Sequence, residues 1–153
     1  MVASDSFTEM EIAAWRSNLL SWKIIERELD RQLQRDMGIP HAYYSILVAL
    51  QEQTRGSSMP LTRLAEELEN SQSRMSYAVA RLEDLGWVEQ TQDFSDRRIK
   101  ALRLTDAGRA AYRDATTGHV AVVREIFFSR LDEEDLADLR RIGEKLLQSL
   151  TAE

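Results

Sequence analysis

Asp96-Arg97-Arg98-Ile99-Lys100-Ala101-Leu102-Arg103-Leu104-Thr105-Asp106-Ala107-Gly108 places an arginine-rich turn directly before a short apolar strand and a helix start. Phe94, Ser95 and Asp96 suit a chain reversal, and Ile99, Ala101 and Leu102 to Leu104 suit the returning strand of a hairpin. The turn would carry two guanidiniums outward. Arginines presented in this way can enter a narrow minor groove. Asp96, two residues before Arg98, is placed to accept from it, because carboxylate and guanidinium pair through parallel hydrogen bonds.

Upstream lie the parts such a hairpin would extend. Residues 71 onward predict a helix capped by Ser71 that buries Met75, Val79, Leu82 and Leu85. Its other face would hold Ser73, Arg74, Ser76, Tyr77, Ala80 and Arg81. A helix that merely meets water is filled with Glu and Lys, as at Glu66, Glu67 and Glu69. Small hydroxyls allow close approach to a groove, and Arg can bridge guanine edges or phosphates. A shorter helix precedes it, opened by Pro60 with Leu61, Leu64, Ala65 and Leu68 inward, and Glu69 and Asn70 form the turn between the two. Gly86 suits a left-handed helix end, and Trp87 to Gln92 alternates as an outgoing strand. Two short strands are expected in all.

The flanks are helical. From Thr8 to Asp36, Ile12, Trp15, Leu19, Trp22, Ile25, Leu29 and Leu33 mark one face of a long helix that stops at Gly38. Pro40 fits the first turn of a second helix with Tyr43, Ile46, Leu47 and Leu50 inward, and a polar loop follows over Thr54 to Ser58. Thr105 caps a fifth helix, which Gly118 is expected to bend. Asp132 and Asp135 cap a sixth whose stripe is Leu136, Leu139, Ile142, Leu146, Leu147 and Leu150. Both ends of the chain thus carry broad apolar faces that need cover. A second copy packed about a two-fold axis supplies it, so a homodimer is expected.

Composition narrows the function classes. The 153 residues suit one domain, zero cysteines exclude disulfides and thiolate chemistry, and no apolar run approaches a membrane span. Without a basic, apolar leader over Met1 to Thr8, a cytoplasmic location is the default expectation. A net charge of −6 argues against nucleic acid, but the charge is segregated. Residues 71–104 carry six Lys/Arg against five Asp/Glu, whereas 131–153 carry three against seven. His41 and His119 are the only histidines, too few for a metal ligand set without cysteine, and no cofactor is implied. The six glycines are too dispersed for a phosphate loop, and no nucleophile and base pair stands out, so an enzyme is not expected.

Taken together, Leu64-Ala65-Glu66-Glu67-Leu68, Ser71-Gln72-Ser73-Arg74-Met75-Ser76, Arg81-Leu82-Glu83-Asp84-Leu85-Gly86-Trp87-Val88, Asp96-Arg97-Arg98 and Leu104-Thr105-Asp106-Ala107-Gly108 resemble the MarR family of bacterial transcriptional regulators. The resemblance covers nearly all of the chain. It implies a mainly α fold with a small β-hairpin, a winged helix-turn-helix with N- and C-terminal dimerisation helices. Residues 1–38 would form the N-terminal dimerisation helix, 39–104 the DNA-binding unit and 105–153 the C-terminal dimerisation helices. The implied partner is double-stranded DNA, with recognition helices in successive major grooves and wings in flanking minor grooves. Candidate DNA contacts are Ser71, Gln72, Ser73, Arg74, Ser76, Tyr77, Arg81, Asp96, Arg97 and Arg98, with Arg98 as the minor-groove arginine and Asp96 as its orienting partner. Asn70 departs from the family, which usually has an apolar residue there.

The resemblance also implies a site for a small aromatic or phenolic effector, drawn from the first, second and fifth helices. Trp15, Trp22, His41, Tyr44 and Tyr112 would supply its walls, and Arg16 could meet a carboxylate. Trp15 and Trp22, seven residues apart on one stripe, suit plain core or dimer contacts equally, and His41 suits a helix start. The alternative function is a winged-helix protein-protein adaptor, whose arginines would meet an acidic partner instead of DNA.

Overall fold

Local capping sets the helix boundaries in the computed structural model, which describes residues 6–52, 58–92 and 100–150. Helix α1, Glu9–Met37, opens on a reciprocal cap: the Thr8 hydroxyl accepts from the Glu11 N–H, and the Glu11 carboxylate accepts from the Thr8 N–H. It closes at Gly38, the stop expected there, which takes the left-handed conformation with a φ of 68°. Helix α2, His41–Glu52, starts one residue after Pro40. Asp30 of α1 accepts from the His41 N–H at 2.9 Å, capping α2 from a neighbouring helix.

Strand β1, Met59–Pro60, precedes α3, Leu61–Glu67, and α4, Gln72–Asp84. Strands β2, Val88–Gln92, and β3, Lys100–Leu104, pair antiparallel from Val88 opposite Leu104 to Gln92 opposite Lys100. The described sheet has three strands in the order β1-β3-β2, not the expected two. Met59 pairs with Leu102 and Pro60 with Ala101. Proline donates no N–H to a ladder, and a strand this short carries no local signal of its own. Helix α5, Asp106–Ile126, runs unbroken into a tight turn at Phe128–Arg130, and α6, Glu133–Leu150, follows.

The core lies where α2, α4, α5 and the sheet converge. Leu33, Ile46, Leu47, Leu50, Met59, Leu64 and Leu82 are its most enclosed large side chains. Truncating one such leucine to alanine costs about 2–5 kcal/mol. Tyr44 rather than Tyr43 is the buried tyrosine of α2, and Leu85 is exposed where burial was expected, because it is the cap residue past the last turn of α4; Ala78 is buried as well. The helical run of α5 continues through Gly118. A Cβ there would stand 2.7 Å from Gln32 Nε2, so the glycine lets α1 and α5 approach. Gln32 itself is buried and donates to Asp36 at 2.8 Å.

Only the C-terminal part of the α1 stripe is covered. Leu29 and Leu33 are buried, while Trp15 is 66% and Trp22 57% exposed. Along α6, Leu139, Ile142, Leu146, Leu147 and Leu150 are exposed too. Its cap is reciprocal, Asp135 N–H donating to Asp132 and Asp132 N–H to Asp135. No described helix is long and apolar enough to cross a membrane.

Candidate nucleic-acid interface

The turn between α3 and α4 is tied by backbone bonds. Asn70 N–H reaches back to Ala65 O at 2.8 Å and Glu69 N–H to Glu66 O at 3.0 Å, with Glu69 itself in the left-handed region at φ 45°. Asn70 Oδ1 then accepts from Ser71 N–H, and the Ser71 hydroxyl accepts from Arg74 N–H. Ser71 is therefore the N-cap, as expected, and its cap fixes where α4 starts and which residues face out.

Helix α4 has two chemically distinct sides. Met75, Ala78, Val79 and Leu82 face the core, while Gln72, Ser73, Arg74, Ser76, Tyr77, Ala80 and Arg81 are exposed. Tyr77 is 69% exposed, an unusual position for a phenol that only had to pack. Arg81 is held by Asp84 at 2.9 Å, and Arg74 has no ion-pair partner among the described residues. The exposed side is thus small, hydroxyl-rich and basic before Glu83, a surface able to enter a major groove and donate to bases and phosphates.

The hairpin is anchored at its base. Arg103 pairs with Glu89 across the two strands at 2.7 Å. Thr105 donates its hydroxyl to Gly86 O at 2.6 Å and accepts from Gly108 N–H at 3.0 Å, joining the end of α4 to the start of α5. The turn itself, with Asp96, Arg97 and Arg98, lies outside the described residues.

The aromatic candidates separate into two places. His41, Tyr44 and Tyr112 stand together where α2 meets α5, joined by His119, Thr116 and Glu52. The His41 and His119 rings stack at 5.5 Å and 14°, and Tyr44 lies 4.6 Å from His119. Thr116 donates to Tyr112 O, so its oxygen accepts from the Tyr44 hydroxyl, 3.2 Å away. Tyr112 donates to Glu52 at 2.9 Å. Burial lowers both histidines below their ordinary range; Asp30 and Glu26 oppose this at His41, while His41 adds to it at His119. Burial also raises both tyrosines, so at all four rings it favours the uncharged form. A groove of about 340 Å³ beside it is lined by His41, Tyr44, Glu52, Glu67 and His119.

Trp15 and Arg16 lie elsewhere, lining an apolar groove between the start of α1 and Ile142 and Leu146 of α6. Trp22 lines neither groove. The sequence pattern weighs His119 only in setting metal binding aside and gives no signal for Thr116 or Glu52. Spacing inside one helix cannot show that α2 and α5 meet at these positions.

Comparison with known proteins agrees with this geometry. Residues 45–108 match a family described as winged helix DNA-binding domain. A MarR family transcriptional regulator of Streptomyces coelicolor, solved in complex with DNA, is 38% identical over 99% of this chain and 94% of its own, with a TM-score of 0.89. AbsC, a second MarR family regulator of that organism, is 31% identical over 98% of this chain and all of its own, with a TM-score of 0.90. The transcriptional repressor MdtR of Bacillus subtilis is 26% identical over 82% of this chain and 77% of its own. Identity at this level across nearly whole chains, on a winged helix-turn-helix with flanking helices, shows that this chain belongs to the MarR family of DNA-binding transcriptional regulators.

Proposed function

We propose that the protein acts as a homodimer that occludes a palindromic operator and so represses transcription. The observation that carries this reading is the exposed side of α4, where Ser73, Arg74, Ser76, Tyr77 and Arg81 share one face backed by a packed core. Ser71 and Gln72 open that helix toward the same groove. Arg97 and Arg98 at the turn of the hairpin, with Asp96 orienting Arg98, grip the flanking minor groove. The uncovered stripes of α1 and α6 support a dimer, since no single chain covers them. Two recognition helices would then read half-sites about one helical turn apart. Repression is supported by MdtR, which carries that description.

A small aromatic or phenolic effector is supported by the ring-lined cluster of His41, Tyr44 and Tyr112 at the junction of the DNA-binding unit with α5. Trp15, Arg16 and Trp22 stand apart from it within one chain and suit the dimer contact better.

Fluorescence anisotropy across a salt series tests the reading, with the DNA upstream of the protein's own gene, a scrambled duplex and the variant Arg98→Ala. Selective binding is expected, weakened strongly by the variant, with a salt slope lower by about 0.9 for each phosphate that is no longer neutralised. Equal, weak binding of the upstream, scrambled and randomly selected duplexes would favour the protein-protein adaptor instead.

A further inference from the structure

Between the first turn of α2 and the outer face of α4 runs an open notch of about 520 Å³. Tyr43, Asn70, Ser73, Arg74 and Tyr77 line it over a floor that includes Met75. No carboxylate takes part, although the chain holds 26 Asp and Glu. The groove beside the histidine pair contains Glu52 and Glu67, and the groove between α1 and α6 contains Glu11. The notch is therefore the one of these three whose lining is free of acid.

Its polar groups are donors to an anion. Tyr43 and Tyr77 offer phenolic O–H groups, Ser73 a hydroxyl, and Arg74 a guanidinium with no ion-pair partner among the described residues. Asn70 Oδ1 is occupied by the Ser71 N–H, which leaves its NH2 as the remaining polar group. These donors come from two elements, α2 and the α3–α4 corner, so they face the notch from two sides.

We propose that this notch seats one phosphodiester of the DNA backbone, with Tyr43 and Arg74 as the principal donors, so that the first turn of α2 is part of the DNA interface. The inference rests on the operator-binding reading above. A contact of this kind fixes the depth and rotation of α4 in its groove without reading sequence. It also accounts for Asn70, which adds a donor at a position where the family usually carries an apolar side chain.

The test is a methylphosphonate scan of the tightest duplex taken from a random-sequence selection with the full-length protein. Wild type is expected to bind about tenfold more weakly when one particular phosphate in each half-site is stripped of its charged oxygen. Tyr43→Phe keeps the ring and should bind the unmodified duplex several-fold more weakly, with the selected and scrambled sequences affected alike. At the critical phosphate the two effects should not add, and Asn70→Leu should couple to that same position. Additive effects at every position would overturn the notch contact while operator binding stands. Failure of the selection to yield any preferred duplex would overturn both. Inorganic phosphate that displaces no DNA at matched ionic strength, yet protects the Tyr43 and Tyr77 ring signals, would make the notch a free-anion site and also overturn the proposal.

Discussion

Gly108 has no room for a side chain because its backbone lies against that of Trp87: a Cβ added there would fall 1.9 Å from the Trp87 carbonyl oxygen and 2.8 Å from its carbonyl carbon. That oxygen also accepts from Thr105 N–H at 3.0 Å. The first turn of α5 is thus pressed onto the residue that begins the hairpin, and backbone meets backbone with nothing flexible to yield. Gly108→Ala is expected to destabilise the fold by about 3 kcal/mol, at the upper end for an overpacked site. Urea unfolding should show a lower midpoint with an unchanged slope.

Thr105 is the polar half of the same joint, both donating to Gly86 O and accepting from Gly108 N–H. Thr105→Val keeps the shape and removes both bonds, and should cost about 1–2 kcal/mol. Thr105→Ser should recover most of that stability. Equal midpoints for Thr105→Val and wild type would show that the joint is held by packing alone.

Glu69 occupies the left-handed region that favours glycine, at the corner between α3 and α4. Glu69→Gly relieves that conformation but loosens the unfolded chain, and a net gain of about 0.5–1 kcal/mol is expected in thermal unfolding. Glu69→Gln, which keeps the backbone cost and removes the charge, should leave stability close to wild type.

The stacked pair of His41 and His119 makes stability depend on pH. Both are held below their ordinary range by burial, so the unfolded chain takes up protons first. Their contribution is constant above the unfolded value of about 6.5 and is lost as pH falls from there through the folded values. Urea midpoints should decline on acidification from about pH 6.5, more steeply in wild type than in His119→Gln. Parallel curves for the two proteins would remove the pair from the acid response.

In the proposed dimer the exposed stripe of α6 is interface. Leu146, 51% exposed in the single chain, faces the groove shared with Trp15. Leu146→Glu is expected to yield monomers in sedimentation velocity, with operator affinity falling by a factor of roughly 100 because the two half-sites are no longer linked. A Leu146→Glu protein that still sediments as a dimer would place the interface elsewhere.

What was legible in the sequence was what is decided locally. Thr8, Gly38, Ser71, Gly86, Thr105 and Asp132 act within a turn of themselves, and each stands at the helix end where its chemistry put it. The two faces of α4 were legible from period alone, except that Leu85, past its last full turn, points to water. Strand β1 was not, because Met59 and Pro60 become a strand only through Leu102 and Ala101, far along the chain. Gly118 looked like a weak point of α5 because its partner, Gln32, sits on another helix. The aromatic candidates divided for the same reason: a stripe on α1 shows what is apolar, not whether its own chain or another will cover it.

Arg81 meets the solvent with an anion already in hand, since Asp84 sits one turn along the same helix at 2.9 Å. In the proposed interface, a phosphate or guanine edge must therefore displace an internal rival for this guanidinium. Casual contact with any duplex recovers little from Arg81, because one carboxylate is merely exchanged for one phosphate. A guanine edge that engages both N–H groups of the fork offers more than Asp84 does at a single oxygen. In that proposed interface the neighbouring acid would work as a threshold, quieting the helix on the vast excess of irrelevant DNA and leaving its grip for the site that fits.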